Sequence, residues 1–196
     1  MQMKIPRRTN QQRSDATRAA LLDAARALFV DKGYAETGTP EIVRAASVTR
    51  GALYHHFADK ADLLRGVIVR ELERVASEID QAAADAPSTM DALTQGAVAW
   101  FNAMSDPGST RLLLLDGPAV LGRAEMDRID RATSAATLVA GLRAGQEAGE
   151  IIDAPLNALA GSLSAVFDRA ALDIVNGASR EAYMEVIAHL ICSLRR

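Results

Sequence analysis

Two cations stand where helix stability alone argues against them. Arg50 falls on the first turn after Thr49, a candidate N-cap, and Lys60 on the first turn after Asp59. A positive side chain there opposes the helix dipole and costs roughly 0.3–1 kcal/mol. A phosphate reverses the sign, because a helix start offers unpaired N–H groups to an anion. Arg50 also has the forked geometry to pair both major-groove acceptors of a guanine. Gly51 fits the same purpose, since near a helix start it costs roughly 1 kcal/mol against alanine but lets a base edge come close. The competing reading is that Arg50 and Lys60 are ordinary solvated charges. Their coincidence with Gly51 argues instead for contact with a nucleic acid.

These residues need rigid elements to hold them. Thr39-Pro40-Glu41 reads as a helix start, with a capping hydroxyl, a proline that loses no hydrogen bond and an acid at the positive end of the dipole. That helix runs to about Ala46, Ser47 and Val48 make the turn, and Thr49 opens a second helix through His56. Ile42, Ala46, Val48, Leu53 and Phe57 are expected to face inward. Asp59 with Asp62 gives a third start, after which Leu63, Leu64, Val67, Ile68, Leu72, Val75 and Ile79 keep helical spacing to about residue 80. Upstream, Ser14 and Asp15 are expected to begin the first helix, with Leu21, Leu22, Ala24, Ala25, Leu28 and Phe29 on one face and Lys32-Gly33 closing it. A head of about 45 residues is marginal alone and must lean on the long helix that follows.

From Gly33-Tyr34 and Thr37, through Ile42 to Ala46, to Val48-Thr49-Arg50-Gly51-Ala52-Leu53-Tyr54-His55-His56-Phe57 and Lys60, the chain resembles the tetracycline-repressor (TetR) family of bacterial transcriptional regulators. The resemblance covers residues 14 to 65. It implies that Thr49, Arg50, Gly51 and Ala52 form the base-reading end of a recognition helix, and that Thr37, Thr39, Tyr54, His55, His56 and Lys60 contact phosphate. That division suits the rule that phosphate contacts fix register while groove-floor contacts carry sequence information. Tyr54 could equally pack its ring beside Leu53 and Phe57. Two positions depart from the pattern: Ser47 replaces the usual turn glycine, where a left-handed backbone is convenient, and Gly38 replaces a commoner Ser or Thr. His55 and His56 point about 100° apart on a helix and share no metal easily, so neither a metal site nor a cofactor is expected.

Charge follows the same division. Residues 1–60 carry ten Lys and Arg against six Asp and Glu, a net of +4, whereas residues 61–196 carry 12 against 19, a net of −7. The formal charge of −3 therefore hides a basic end suited to phosphate and an acidic remainder. The expected domains are 1–60, a basic arm with a helix-turn-helix, and 61–196, a helical effector-binding and dimerisation region. Residues 1–13 lack apolar periodicity and read as a flexible basic arm or a simple tail.

Beyond residue 80 no strand alternation appears, and the expected fold is all-α. Helices are expected near 88–105, 109–116, 123–148, 154–175 and 180–195, broken at Ala86-Pro87, Asp106-Pro107-Gly108, Gly117-Pro118, Gly149 and Gly177. On the last two, Leu159, Leu163, Val166, Tyr183, Val186, Ile187, Leu190 and Leu194 suggest a homodimer face built as a four-helix bundle, unless they are intramolecular core. Trp100, Phe101, Met104, Arg111, Leu115, Met126 and Phe167 are the candidate walls of a small-molecule chamber, with Asp116 and Arg123 as further polar groups; plain core is the alternative.

The expected function is therefore a DNA-binding regulator, a repressor released from a palindromic double-stranded operator by an unidentified small effector. An architectural DNA-binding protein without effector is the alternative, and it predicts a filled core near Trp100. No G-x-S-x-G, H-E-x-x-H, G-x-x-x-x-G-K or G-x-G-x-x-G motif suggests an enzyme. One cysteine excludes an intrachain disulfide, no apolar run reaches the roughly 20 residues of a membrane span, and a cytoplasmic protein is expected.

Overall fold

The computed structural model describes residues 9–196, which fold into helices joined by short turns. Chain contacts divide it into two compact units, one ending at Val67 and the other spanning Ile68–Arg196. The basic arm anticipated at residues 1–13 lies outside the described residues up to position 8.

In the first unit, α1 (Asn10–Lys32), α2 (Thr39–Ala45), α3 (Arg50–His56) and the start of α4 (Lys60–Ala83) enclose a small apolar core. Leu21, Leu22, Ala25, Phe29, Ile42, Leu53, Phe57, Leu63, Leu64 and Val67 are buried there, each large side chain contributing roughly 1.5–3 kcal/mol of burial. Helix α1 begins earlier than Ser14. Thr9 and Gln12 form a reciprocal capping box, the Thr9 hydroxyl accepting from the Gln12 amide (3.2 Å) and the Gln12 side chain from the Thr9 amide (2.9 Å). The expected α4 start is present. Asp59 accepts from the Asp62 amide at 2.7 Å, and Asp62 accepts from the Ala58 amide at 3.0 Å.

The turn between α2 and α3 is a Schellman motif. The Ser47 amide donates to Arg44 (3.1 Å) and the Val48 amide to Val43 (3.0 Å), returning the chain under the end of α2. The motif demands a left-handed residue where glycine is usual, and Ser47 adopts it with φ of 54°, the one non-glycine in that region among the described residues. Thr49 then caps α3, its hydroxyl oxygen accepting from the Ala52 amide at 3.1 Å.

The second unit contains the rest of α4, α5 (Thr89–Met104), α6 (Pro107–Thr110), a π-type turn at Arg111–Asp116, α7 (Gly117–Leu121), α8 (Arg123–Arg131), α9 (Ser134–Glu147), α10 (Leu156–Val175) and α11 (Arg180–Cys192). Two expectations fail here for local reasons. Gly117-Pro118 does not break the chain, because Pro118 lies in the first turn of α7, where its missing N–H costs nothing. Residues 123–148 are two helices, not one. The Thr133 hydroxyl donates to the Ile129 carbonyl (2.9 Å), and Asp130 accepts from the Ser134 hydroxyl and the Ala135 amide. Side chains thus supply the α9 start without glycine or proline.

A buried polar cluster fastens α4 to α6. Glu71, 4% exposed, accepts from the Ser109 hydroxyl at 2.6 Å and from Arg74 at 2.6 Å, and Arg74 also reaches Glu78. At the C-terminus the Ile152 amide donates to Leu194 (2.8 Å) and the Arg196 amide to Glu150 (3.0 Å), closing a single antiparallel bridge. Among the described residues no helix is long and apolar enough to cross a membrane.

Candidate functional site

The start of α3 points outward. Thr49, Arg50 and Gly51 are exposed and Ala52 is half-buried, while Leu53 on the opposite face is fully buried. A Cβ on Gly51 would meet only the Thr49 hydroxyl, at 3.9 Å, so internal packing does not require glycine here. The Arg50 guanidinium lies 5.5 Å from the Tyr54 ring centroid. Tyr54 is 44% exposed; a hydrogen bond with Thr39, then one with Arg50, holds its phenol below the ordinary value. Thr39, Arg50 and Tyr54 therefore form one connected polar group across α2 and α3. Thr39 does not cap α2, whose N-cap is Gly38.

His55 is exposed and His56 half-buried, their rings in edge contact at 5.2 Å. Burial, then the neighbouring His55 and Arg18, pushes the His56 imidazole below its usual range. Among the described residues no group of three or more His, Cys, Asp or Glu could hold a metal ion.

Two anticipated phosphate contacts have internal tasks. Thr37 is 1% exposed, and its hydroxyl donates to the Gly33 carbonyl at 2.7 Å and lies 3.2 Å from that of Leu28, so its side chain is not available to a phosphate. Lys60 donates to the carbonyls of Tyr34 (2.8 Å) and Thr37 (3.0 Å) and sits 4.1 Å from the Tyr34 ring centroid. Carbonyl oxygens, not a dipole penalty, decide the placement of this cation at the α4 start. It clamps the turn after α1.

The second unit holds a cavity of about 160 Å³. Trp100, Met104, Met126 and Phe167 line it as anticipated, and so does Arg123. The Trp100 and Phe167 rings lie 5.7 Å apart, and Phe101 packs behind both, at 4.8 and 5.6 Å. Phe101, Arg111 and Leu115 do not line the cavity. Phe101 is buried behind the wall, Leu115 is 52% exposed, and Arg111 pairs with Asp116 at 3.3 Å.

Sequence reasoning missed the cavity's acids, Asp80, Asp127, Asp130 and Asp168. Burial, then the charge of Asp130, pushes the Asp168 carboxyl up from 3.8 to about 6. Asp130 is raised as well, again chiefly by burial. A signal was available: Arg123, Asp127 and Asp130 follow one stripe of α8 beside the buried Met126 and Ile129.

The expected dimer face separates into two sets. Leu163, Ile187 and Leu194 are buried within the protomer and are core, a correction to their assignment as interface; Leu163 and Leu194 also line the cavity. Val166, Val186 and Leu190 are exposed, Leu159 and Tyr183 half-buried. They flank the exposed small residues Ala158, Gly161, Ser162 and Ala165.

Comparisons with known proteins agree with this architecture. A sequence model described as bacterial regulatory proteins, tetR family, matches residues 21–67, and one described as the tetracyclin repressor-like C-terminal domain matches residues 90–195. The chain belongs to the TetR family. It is similar to the HTH-type transcriptional activator FasR of Mycolicibacterium smegmatis, 30% identical over 67% of this chain and 60% of that one. It is also similar to the A-factor receptor protein of Streptomyces griseus, 36% identical over 72% of this chain and 48% of that one. The chain thus spans about half to three-fifths of the length of these relatives. The crystal structure of a TetR-family transcriptional regulator from Pectobacterium atrosepticum superposes with a TM-score of 0.74 at 28% identity, covering 95% of each chain.

Proposed function

We propose that the protein is a non-enzymatic, cytoplasmic transcriptional regulator that binds a palindromic double-stranded operator as a homodimer and is released by a small-molecule effector. Residues up to about 60 form the DNA-binding domain and 61–196 the effector-binding and dimerisation domain. The observation that carries this reading is the exposed turn Thr49-Arg50-Gly51, held outward by a capped start on a packed helical core. Arg50 reads a guanine edge, with Thr49, Gly51 and Ala52 beside it. Thr39, Tyr54, His55 and His56 contact phosphate.

The exposed faces of α10 and α11, with Val166, Val186 and Leu190, pair with a second copy. A two-fold dimer then presents two recognition helices to half-sites about 34 Å apart. The cavity favours an effector-responsive regulator over an architectural protein, which needs no empty chamber. Helix α4 carries the signal: Leu72, Ile79 and Asp80 line the cavity, and the same continuous helix begins at the Lys60 clamp. A 100-fold loss of operator affinity requires the effector to prefer the released state by only about 2.7 kcal/mol.

Selection of bound sequences from random DNA, followed by gel shifts at several salt concentrations with and without cavity ligands, tests the proposal. A palindromic motif whose complex dissociates when the cavity is filled is expected. Absence of any enriched motif defeats the DNA reading, and unchanged affinity with the cavity occupied defeats the coupling.

A further inference from the structure

The charged wall of the cavity is predominantly acidic. Its charged lining groups are Asp80, Asp127, Asp130 and Asp168 against Arg123 alone. That single cation is already committed, 3.3 Å from Asp127, and reaches Asp168 only at 4.0 Å, with its side chain 70% exposed. One oxygen of Asp130 accepts from Ser134 and Ala135. Asp168 therefore meets the chamber with little internal compensation. Trp100 and Phe167, whose rings attract cations as well as apolar groups, line the same cavity. No metal-holding group of three or more acids, histidines or cysteines exists among the described residues, so the negative wall is not a metal cage.

Three ligand classes can be weighed. An anion would face four carboxylates and a guanidinium that Asp127 already occupies. A neutral molecule would strip water from Asp168 and either leave its charge without a counter-charge or require it to take up a proton, and both cost free energy at neutral pH. A cation with an apolar body relieves both problems. A cavity near 150 Å³ holds a benzene ring, so at about 160 Å³ the apolar part is about one ring or a short branched alkyl group in size.

We propose that the cavity takes a small lipophilic monocation, an aralkyl- or alkylammonium, its nitrogen at Asp168 and Asp130 and its apolar part against Trp100 and Phe167. This rests on reading the cavity as the effector chamber. It adds the effector's chemical class. The raised pKa of Asp168 supports the assignment, because a carboxyl held against its preferred charge in a cavity marks a candidate for use by a ligand.

Trp100 is the one tryptophan of the chain, so its emission reports cavity occupancy directly. The probes are benzyltrimethylammonium, its uncharged isostere neopentylbenzene, and phenylacetate, each titrated into the full chain at neutral pH. The cation is expected to bind about tenfold or more tightly than the isostere, phenylacetate not to saturate, and Asp168→Asn to lose most of the cation preference while keeping isostere affinity. Equal or tighter binding of the isostere or the anion, no saturable response to the cation, or full cation preference in Asp168→Asn overturns the proposal. Gel shifts with each probe separate the two readings. Cation binding without operator release leaves the site assignment intact and removes the regulatory one, whereas release by an acidic occupant of the cavity does the reverse.

Discussion

Replacing Asp168 with asparagine should stabilise the protein at neutral pH and leave it little changed in acid. In the folded chain the carboxyl ionises near 6 instead of 3.8, because it is buried and Asp130 repels its charge. Below about pH 4 it is protonated folded and unfolded alike, and contributes its full share of stability. As pH rises through 6 that share is lost, since the unfolded chain releases the proton more readily. Two pKa units correspond to at most about 3 kcal/mol. The side chain keeps 33% exposure, so screening by water reduces this to about 1–2 kcal/mol. Asparagine keeps the shape without the charge. Urea unfolding followed by circular dichroism, at about pH 4 and about pH 7.5, should give a variant-minus-parent difference near zero and then about +1–2 kcal/mol, with unchanged m-values. A variant less stable than its parent at the higher pH, or a difference independent of pH, refutes the reasoning. A stabilising loss of a cavity carboxylate would also explain why that group belongs to function and not to the fold.

Ser47→Gly should stabilise the first unit by about 0.5–1 kcal/mol, as relief of the left-handed strain exceeds the entropy that glycine adds to the unfolded chain; protection of α2 and α3 amides from hydrogen exchange reads the change, and loss of protection would contradict it. Lys60→Ala should destabilise that unit by about 1–2 kcal/mol, because the Tyr34 and Thr37 carbonyls lose charged donors; a thermal midpoint equal to that of the parent would return Lys60 to the role of a free phosphate contact. Gly117→Ala should cost about 1–2 kcal/mol despite alanine's better helix propensity, since the new Cβ would fall 2.8 Å from the Leu112 carbonyl, 2.8 Å from Met126 Sδ and 2.9 Å from Ile68 Cδ1; a midpoint at or above that of the parent in thermal unfolding would rule this out.

Much of the first unit was legible because its signals are local. The Thr49 cap, the Asp59–Asp62 pair and the need for a left-handed residue at Ser47 are each set by neighbours within a few positions. The task of Lys60 was not legible, because its partners lie 23 and 26 residues away in sequence; Thr37 bonds locally, to Gly33 four residues back, but its burial depends on packing that its neighbours do not announce. In the second unit the apolar cavity walls Trp100, Met104, Met126 and Phe167 could be named from their side-chain type. Its acids were harder to read: Asp127 and Asp130 share a stripe of α8 with the buried Met126 and Ile129, but carboxylates spaced three and four apart on a helix usually face water, and Asp80 and Asp168 lie on other helices. The α8–α9 break was hidden for a related reason, being made by Asp130 and Thr133 side chains in place of glycine or proline. The dimer face was overdrawn, as one apolar stripe served both the protomer core and the surface.

The account stands on the outward turn at Thr49-Arg50-Gly51 reading bases, and Arg50→Ala tests it most directly. Binding of parent and variant should be measured in parallel across every single-base substitution of the selected operator. The variant should lose about 1–3 kcal/mol of discrimination at one symmetry-related position and keep its preferences elsewhere. An equal loss at every position, with the base preference of each site intact, would mean that Arg50 touches only the backbone and that the recognition surface lies somewhere else.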